Sequence, residues 1–314
     1  MVRWGFAGAL MITFRSVTKL YPGSARPALG DVDLKVNDGE IVGLVGLNGA
    51  GKTTAMRIAA GVISPTSGAV EIDGRDIIRA KVHASQGVGW VPELPNCNPD
   101  RRVLSLLKYF AGFYFPSDAA VTAHCQELLR TLGLGGSEQV KFGRLSHGMQ
   151  VRFQLAAALV GEPSNLLLDE VFSGIDAEGL RFLRDWLLEL RSERKSVLLS
   201  SHQLSEVQRV ADRVAILHQG RILRVKPSSE IGSTVDGETK ITLRLKGVDE
   251  ACLSLLGTFG KVSSVGERIV LSGHEIDPSK LSAELARHGY GIVELATEVP
   301  TLEDYLLTVA GTEP

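Results

Sequence analysis

The run Gly46-Leu47-Asn48-Gly49-Ala50-Gly51-Lys52-Thr53-Thr54 carries the plainest chemistry in the chain. It fits the phosphate-binding pattern of Gly, any four residues, then Gly-Lys-Ser/Thr, with Gly49 as an extra glycine inside it. Glycines let a backbone turn tightly and aim successive N–H groups inward, making an anion nest at a helix N-terminus. Lys52 is then placed to reach β- and γ-phosphates, and the Thr53 hydroxyl to ligate Mg²⁺. Residues 40–45 form an apolar run of buried-strand type, and residues 54–60 have helical spacing. A chance glycine-rich turn lacks those flanks, so nucleotide binding is the reading the context favours.

A second run, Asn165-Leu166-Leu167-Leu168-Asp169-Glu170, is an apolar strand that delivers two adjacent acids to its carboxyl end. Open α/β sheets bind ligands at that end. Asp169 suits a Mg²⁺ site and Glu170 suits polarising an attacking water; the alternative is a structural acid pair at a strand end. Ser146, before the helix expected at 151–160, makes a further anion site with that helix start, or is only its N-cap. Tyr21 follows a strand and is open to two readings, packing or an aromatic platform.

These residues need an α/β frame, and the chain supplies one. Residues 12–17 and 29–36 read as strands, 69–77 as a hairpin closed at Asp73-Gly74, and 87–93 as a strand ending in a loop. Helical spacing over 103–115 (Leu106, Leu107, Phe110, Phe113, Tyr114) and 119–132 marks an insertion, whose aromatics are core or a partner groove. Asp176 would cap a helix with Leu180, Leu183, Leu187 and Leu190 on one face. A strand at 196–200, a helix at 204–211 and a hairpin at 214–225 complete this part. Residues 226–233 read as a linker. Beyond it the order is strand, helix, strand, strand, helix, strand, the split βαβ or ferredoxin-like arrangement, with a last helix from Thr301 and Asp304 in a capping position.

Composition bounds the function. The chain has 314 residues, 44% of them hydrophobic, enough for a real core. Lys and Arg (34) nearly balance Asp and Glu (36), so nothing points to nucleic acid as the main partner. Cys97, Cys125 and Cys252 have no metal-ligand spacing and read as reduced thiols of a cytosolic protein. No run approaches the roughly eighteen apolar residues of a membrane helix. Residues 1–10 have signal-like flavour but leave no room for cleavage; they read as a dispensable extension, or Met11 is the true start.

Taken in order, these motifs resemble the ATP-binding subunit of ABC (ATP-binding cassette) transporters over residues 12–225. The resemblance implies that Tyr21 stacks on adenine and that His202 is the switch histidine at the γ-phosphate. It implies that Leu145-Ser146-His147-Gly148-Met149 is the signature, in which Ser146 and Gly148 meet nucleotide, with His147 and Met149 replacing the usual Gly and Gln. Ser173-Gly174-Ile175-Asp176 resembles the loop between paired subunits, although Asp176 as a plain helix cap is equally supported. Glu93 stands where many members carry a Mg²⁺-ligating Gln, and an acid there fits an exporter-like branch whose tail ends like residues 300–306.

The expected fold is therefore an α/β P-loop NTPase of ABC type, with a mixed sheet, an antiparallel edge sheet and a helical insertion at about 94–147. A small α+β ferredoxin-like domain at 233–314 follows the ATPase domain at 11–232. The expected function is hydrolysis of ATP with Mg²⁺ to drive a separate membrane permease, with exporters favoured and residues 94–115 as docking surface. Expected site residues are Lys52, Glu170 and His202 for catalysis. Tyr21, the loop Gly46, Leu47, Asn48, Gly49, Ala50, Gly51, Lys52, Thr53 and Thr54, and Ser146 with Gly148 bind nucleotide; Thr53, Glu93 and Asp169 hold metal. A second copy completes each site, making a homodimer at the cytoplasmic face of the cell membrane. The alternatives are a non-transport ABC ATPase acting on ribosomes or DNA and a nucleotide-dependent regulator. A phosphate-loop GTPase is the weakest option, because no Asn-Lys-x-Asp motif occurs in the sequence.

Overall fold

The computed structural model describes residues 11–94, 97–116, 118–230, 238–265, 268–274 and 276–298. The extension at 1–10, the end of the linker, and the final helix from Thr301 with Asp304 and the 300–306 ending lie outside the described residues. Two compact units divide between Lys226 and Pro227.

In chain order the first unit contains β1 (Ile12–Lys19), β2 (Leu29–Val36), β3 (Ile41–Val45), helix α1 (Lys52–Ala59), β4 (Ser67–Ile72) and β5 (Arg75–Asp76). Next come α2 (Lys81–Gln86), β6 (Val88–Val91), α3 (Val103–Ala111), α4 (Ala119–Thr131), α5 (His147–Leu159) and β7 (Asn165–Asp169). It closes with α6 (Ala177–Ser192), β8 (Ser196–Ser201), α7 (Leu204–Gln208), β9 (Arg213–His218) and β10 (Arg221–Pro227).

A six-stranded sheet runs β10-β9-β3-β8-β7-β6, and β3, β6, β7, β8 and β9 pair in parallel. Strands buried on both faces read as continuous apolar runs, and β3, β7 and β8 are buried at every position. An antiparallel sheet, β2-β1-β4-β5, stands beside it. There β2 alternates buried and exposed positions from Val32 onward, as a half-exposed strand does.

Helix starts follow their caps. The Asp176 carboxylate accepts the Gly179 N–H at 2.8 Å and opens α6, whose buried face is Leu183, Trp186, Leu187 and Leu190. Trp186 thus joins the face that leucine spacing predicts, while Leu180 is half-buried. Helix α3 stops at Ala111, before Gly112, earlier than the aromatic run suggests. Phe110 turns inward on Phe153, whereas Tyr109 and Phe113 are 64% and 70% exposed. Helix α2 was invisible to periodicity because Ala84 is its only buried residue.

The second unit has β11 (Glu238–Lys246), α8 (Glu250–Gly257), β12 (Lys261–Val265), β13 (Arg268–His274), α9 (Pro278–Arg287) and β14 (Gly291–Glu298). Its sheet is antiparallel in the order β12-β13-β11-β14. Ile241, Leu243, Leu256, Leu271, Leu281 and Leu285 form a core of its own.

Phe153 on α5 is fully buried and meets Phe142 edge-on at 5.2 Å as well as Phe110 at 6.5 Å. Phe153→Ala should lower stability by about 3–5 kcal/mol, read as a drop in the urea midpoint. An unchanged midpoint would deny α5 its anchoring role.

Candidate functional site

Strand β3 ends at Val45 and the chain turns into α1 through residues 46–51. Three glycines make the turn possible for different reasons. A Cβ on Gly46 would lie 2.3 Å from the Leu217 carbonyl, so the loop hugs β9 too closely for a side chain. Gly51 combines φ +110° with a Cβ position 2.4 Å from the Ala28 carbonyl. Gly49 has open space around it and only its φ of +80° favours glycine. Ala50 N–H bonds to the Leu47 carbonyl at 3.1 Å, and Asn48 and Gly49 are exposed at the tip. Helix α1 begins at Lys52, so its first N–H groups have no partner within the helix. Thr53 and Thr54 sit in that first turn.

Lys52 is buried. Its ammonium donates to the Gly46 carbonyl at 2.7 Å and the Leu47 carbonyl at 3.3 Å, and lies 3.1 Å from Glu170 Oε1. The two side chains are 6% and 8% exposed, so this is an ion pair almost out of water. Glu170 follows the last residue of β7 and holds φ +52°, a left-handed conformation that glutamate rarely adopts. Its N–H is held by the Ser200 carbonyl at 3.1 Å and the Ser200 hydroxyl at 3.2 Å. Its other carboxylate oxygen, Oε2, accepts from His202 Nδ1 at 2.8 Å and from the His202 backbone N–H at 3.3 Å. A carboxylate can only accept, so Nδ1 carries the proton.

Asp169 is buried at the end of β7. Thr53 Oγ1 donates to its Oδ1 at 3.4 Å, and the Ser200 hydroxyl donates to the same oxygen. Burial pushes this carboxyl above its ordinary pKa; the Ser200 and Thr53 hydroxyls pull it down, and the charges of Glu170 and Glu93 add to the rise. Lys52, Thr53, Asp169, Glu170 and His202 thus converge at the carboxyl ends of β3, β8 and β7, which are neighbours in the sheet.

The remaining expected residues stand around this cluster. Tyr21 touches the first turn of α1, its hydroxyl 3.5 Å from Thr54 Oγ1, and Lys19 Nζ lies over its ring at 5.2 Å. Glu93 lines a cleft of about 390 Å³ with His147, Asp169, Glu170, Ser173 and Gly174. Ser146 caps α5 by accepting the Met149 N–H at 3.3 Å. Gly148, in the first turn of α5, has open space where a side chain would stand. Among the described residues no hydrogen bond or ion pair joins Ser146 or Gly148 to the Lys52 cluster.

Sequence reasoning passed over Ser200. It sits in an apolar strand, has no exposure, and uses one hydroxyl to hold both acids. A polar residue in a run that should be wholly apolar is the signal that would have found it.

A family profile described as ABC transporter matches residues 29–173. The Nod factor export ATP-binding protein I of Burkholderia orbicola is 32% identical over 304 residues, spanning 96% of this chain and 97% of that protein. The linearmycin resistance ATP-binding protein of Bacillus subtilis is 26% identical over 308 residues, spanning 96% and 98%. Among solved structures, an ATP-binding subunit of an ABC transporter is similar with a TM-score of 0.64 at 28% identity, over 70% of this chain and 91% of that one. A bacterial ABC transporter cassette solved as a dimer is similar with a TM-score of 0.64 at 25% identity, over 69% and 98%.

Removing one partner of a buried ion pair strands the other. Lys52→Met should therefore cost about 3 kcal/mol of stability, and adding Glu170→Gln should recover much of that loss. Denaturant unfolding of both single variants and the double variant measures the coupling. Strictly additive effects would exclude a stabilising pair.

Proposed function

This chain belongs to the ATP-binding subunits of ABC transporters, and from that premise we propose that it drives a separate membrane permease in an export system. ATP binding and hydrolysis come with the family. The export assignment is supported by the names of the similar proteins, one in Nod factor export and one in linearmycin resistance. The observation that carries the mechanism is the buried Lys52–Glu170 pair, with His202 bonded to Glu170 from the more exposed side, beside the phosphate loop.

In this reading the loop N–H groups and Lys52 cradle the β- and γ-phosphates and neutralise charge in an in-line displacement. Glu170 orients the attacking water and accepts its proton, and His202 keeps Glu170 aimed. A γ-phosphate arriving at Lys52 competes with Glu170 for the ammonium, so substrate itself would free the carboxylate for its work. Thr53, Asp169 and Glu93 supply oxygen donors only, as suits Mg²⁺. Among the described residues no three acids, histidines or cysteines cluster as a self-contained metal site. Held by Thr53, Asp169 and Glu93, the ion would supply charge neutralisation. Tyr21 would stack on the base.

Ser146 and Gly148, unconnected to the Lys52 cluster, suit a role on a second copy's nucleotide, which makes each site half of a homodimer interface. The similar cassette solved as a dimer supports that arrangement. The permease would dock on residues 94–115, where Tyr109 and Phe113 are exposed beside a cavity of about 350 Å³ lined by Trp90, Cys97, Phe110 and Tyr114. No described helix is long and apolar enough to cross a membrane. In this reading the permease would hold the chain at the cytoplasmic face of the cell membrane. The ATPase domain is assigned to 11–232 and an interaction or regulatory domain to 233–314. The β12-β13-β11-β14 order with two crossing helices supports a ferredoxin-like reading of the latter.

Glu170→Gln with ATP should give a dimer on size-exclusion chromatography, and Lys52→Ala none. Turnover should fall about 10²–10⁴-fold in Glu170→Gln. Only monomer with Glu170→Gln would remove the half-site reading. Stimulation of the ATPase by RNA or DNA, lost at high salt, instead of by a permease would favour the non-transport alternative.

A further inference from the structure

His147, the first residue of α5, makes a side-chain contact outside its own helix. Its Nε2 lies 3.0 Å from the Ser173 carbonyl oxygen. A carbonyl only accepts, so the ring donates from Nε2. The ring also lies against Gly174, which has φ +69°. A Cβ there would stand 3.3 Å from Nε2 and 3.4 Å from Cδ2, so any side chain at 174 would crowd the imidazole. Ser173 in turn donates its N–H to the Glu170 carbonyl at 3.0 Å, closing the turn that begins at Glu170. The line from the α5 N-terminus to the Glu170 turn is thus made of His147, Ser173 and one backbone hydrogen bond. His147, Ser173, Gly174 and Glu170 also line one cleft.

We propose that His147 is a positioning residue that ties the start of α5 to the Glu170 turn. On the half-site reading, Ser146 at that start meets the nucleotide held by the other copy. Closure on the partner's nucleotide is therefore transmitted, within one chain, to the carboxylate that orients water at its own. The histidine acts through Ser173, to whose carbonyl it donates.

The test measures steady-state ATPase of the full chain with Mg²⁺ and ATP in His147→Phe, His147→Ala and His147→Gln. Phenylalanine keeps the ring and loses the donor; glutamine keeps an N–H at similar reach. His147→Phe and His147→Ala should lower kcat roughly three- to tenfold, the scale of one lost hydrogen bond, with KM for ATP unchanged, and His147→Gln should stay within about twofold of the parent. His147 is exposed, so all variants should keep the parental unfolding midpoint. Parental kcat in His147→Phe, or His147→Gln no better than His147→Phe, overturns the proposal, as does a shared loss of stability. Glu170→Gln combined with His147→Phe should still form the ATP-trapped dimer. If Glu170→Gln alone forms none, the half-site reading falls and takes this proposal with it, a result distinct from unaltered turnover in His147→Phe.

Discussion

The ion pair between Lys52 and Glu170 is the constraint around which the catalytic unit is arranged. Two opposite charges 3.1 Å apart and almost out of water are tolerable only if each is closely held. Lys52 has two loop carbonyls and Glu170 has both donors of His202. Each holder belongs to a different strand end, so the pair can form only where β3, β7 and β8 lie side by side. The sheet order is in this sense tied to the electrostatics, and in the proposed function a phosphate would compete for the same lysine.

The same corner stores conformational strain. Glu170 takes a left-handed φ, which costs roughly 1–3 kcal/mol when a non-glycine residue must hold it. Ser200 offsets part of that cost by giving the Glu170 N–H two acceptors while its hydroxyl proton goes to Asp169. One small residue thereby sets the direction of both acids. Across the loop the glycines solve a steric problem instead, letting the backbone run against the carbonyls of Leu217 and Ala28.

The second unit obeys a different logic. Its sheet is antiparallel, β11 alternates buried and less buried positions, and it has a core of its own. Thr242, Arg244 and Lys246 alternate with the buried Ile241 and Leu243, a one-sided sheet whose chemistry is surface chemistry. Among the described residues it carries no phosphate loop and no metal cluster.

Local patterns determined a great deal here. Glycines before Lys52, apolar runs before Asp169 and His202, and Asp176 ahead of α6 are legible because strand and cap rules act over a few residues. They placed β2 and β7 and singled out Lys52, Asp169 and Glu170, while the resemblance to the ABC family added His202. Ser200 was missed because it contributes through two contacts across 30 and 31 residues, and sequence spacing holds no trace of such distances. Helix α2 leaves no periodic trace because it buries almost nothing, and α3 ends at its glycine although aromatic residues continue past it. Whether Phe110 faced the core and Phe113 solvent, which oxygen of Glu170 faced Lys52, and that His147 reached Ser173 were decided only by tertiary structure. Those outcomes depend on which strand ends become neighbours, and neighbourhood is a property of the folded sheet.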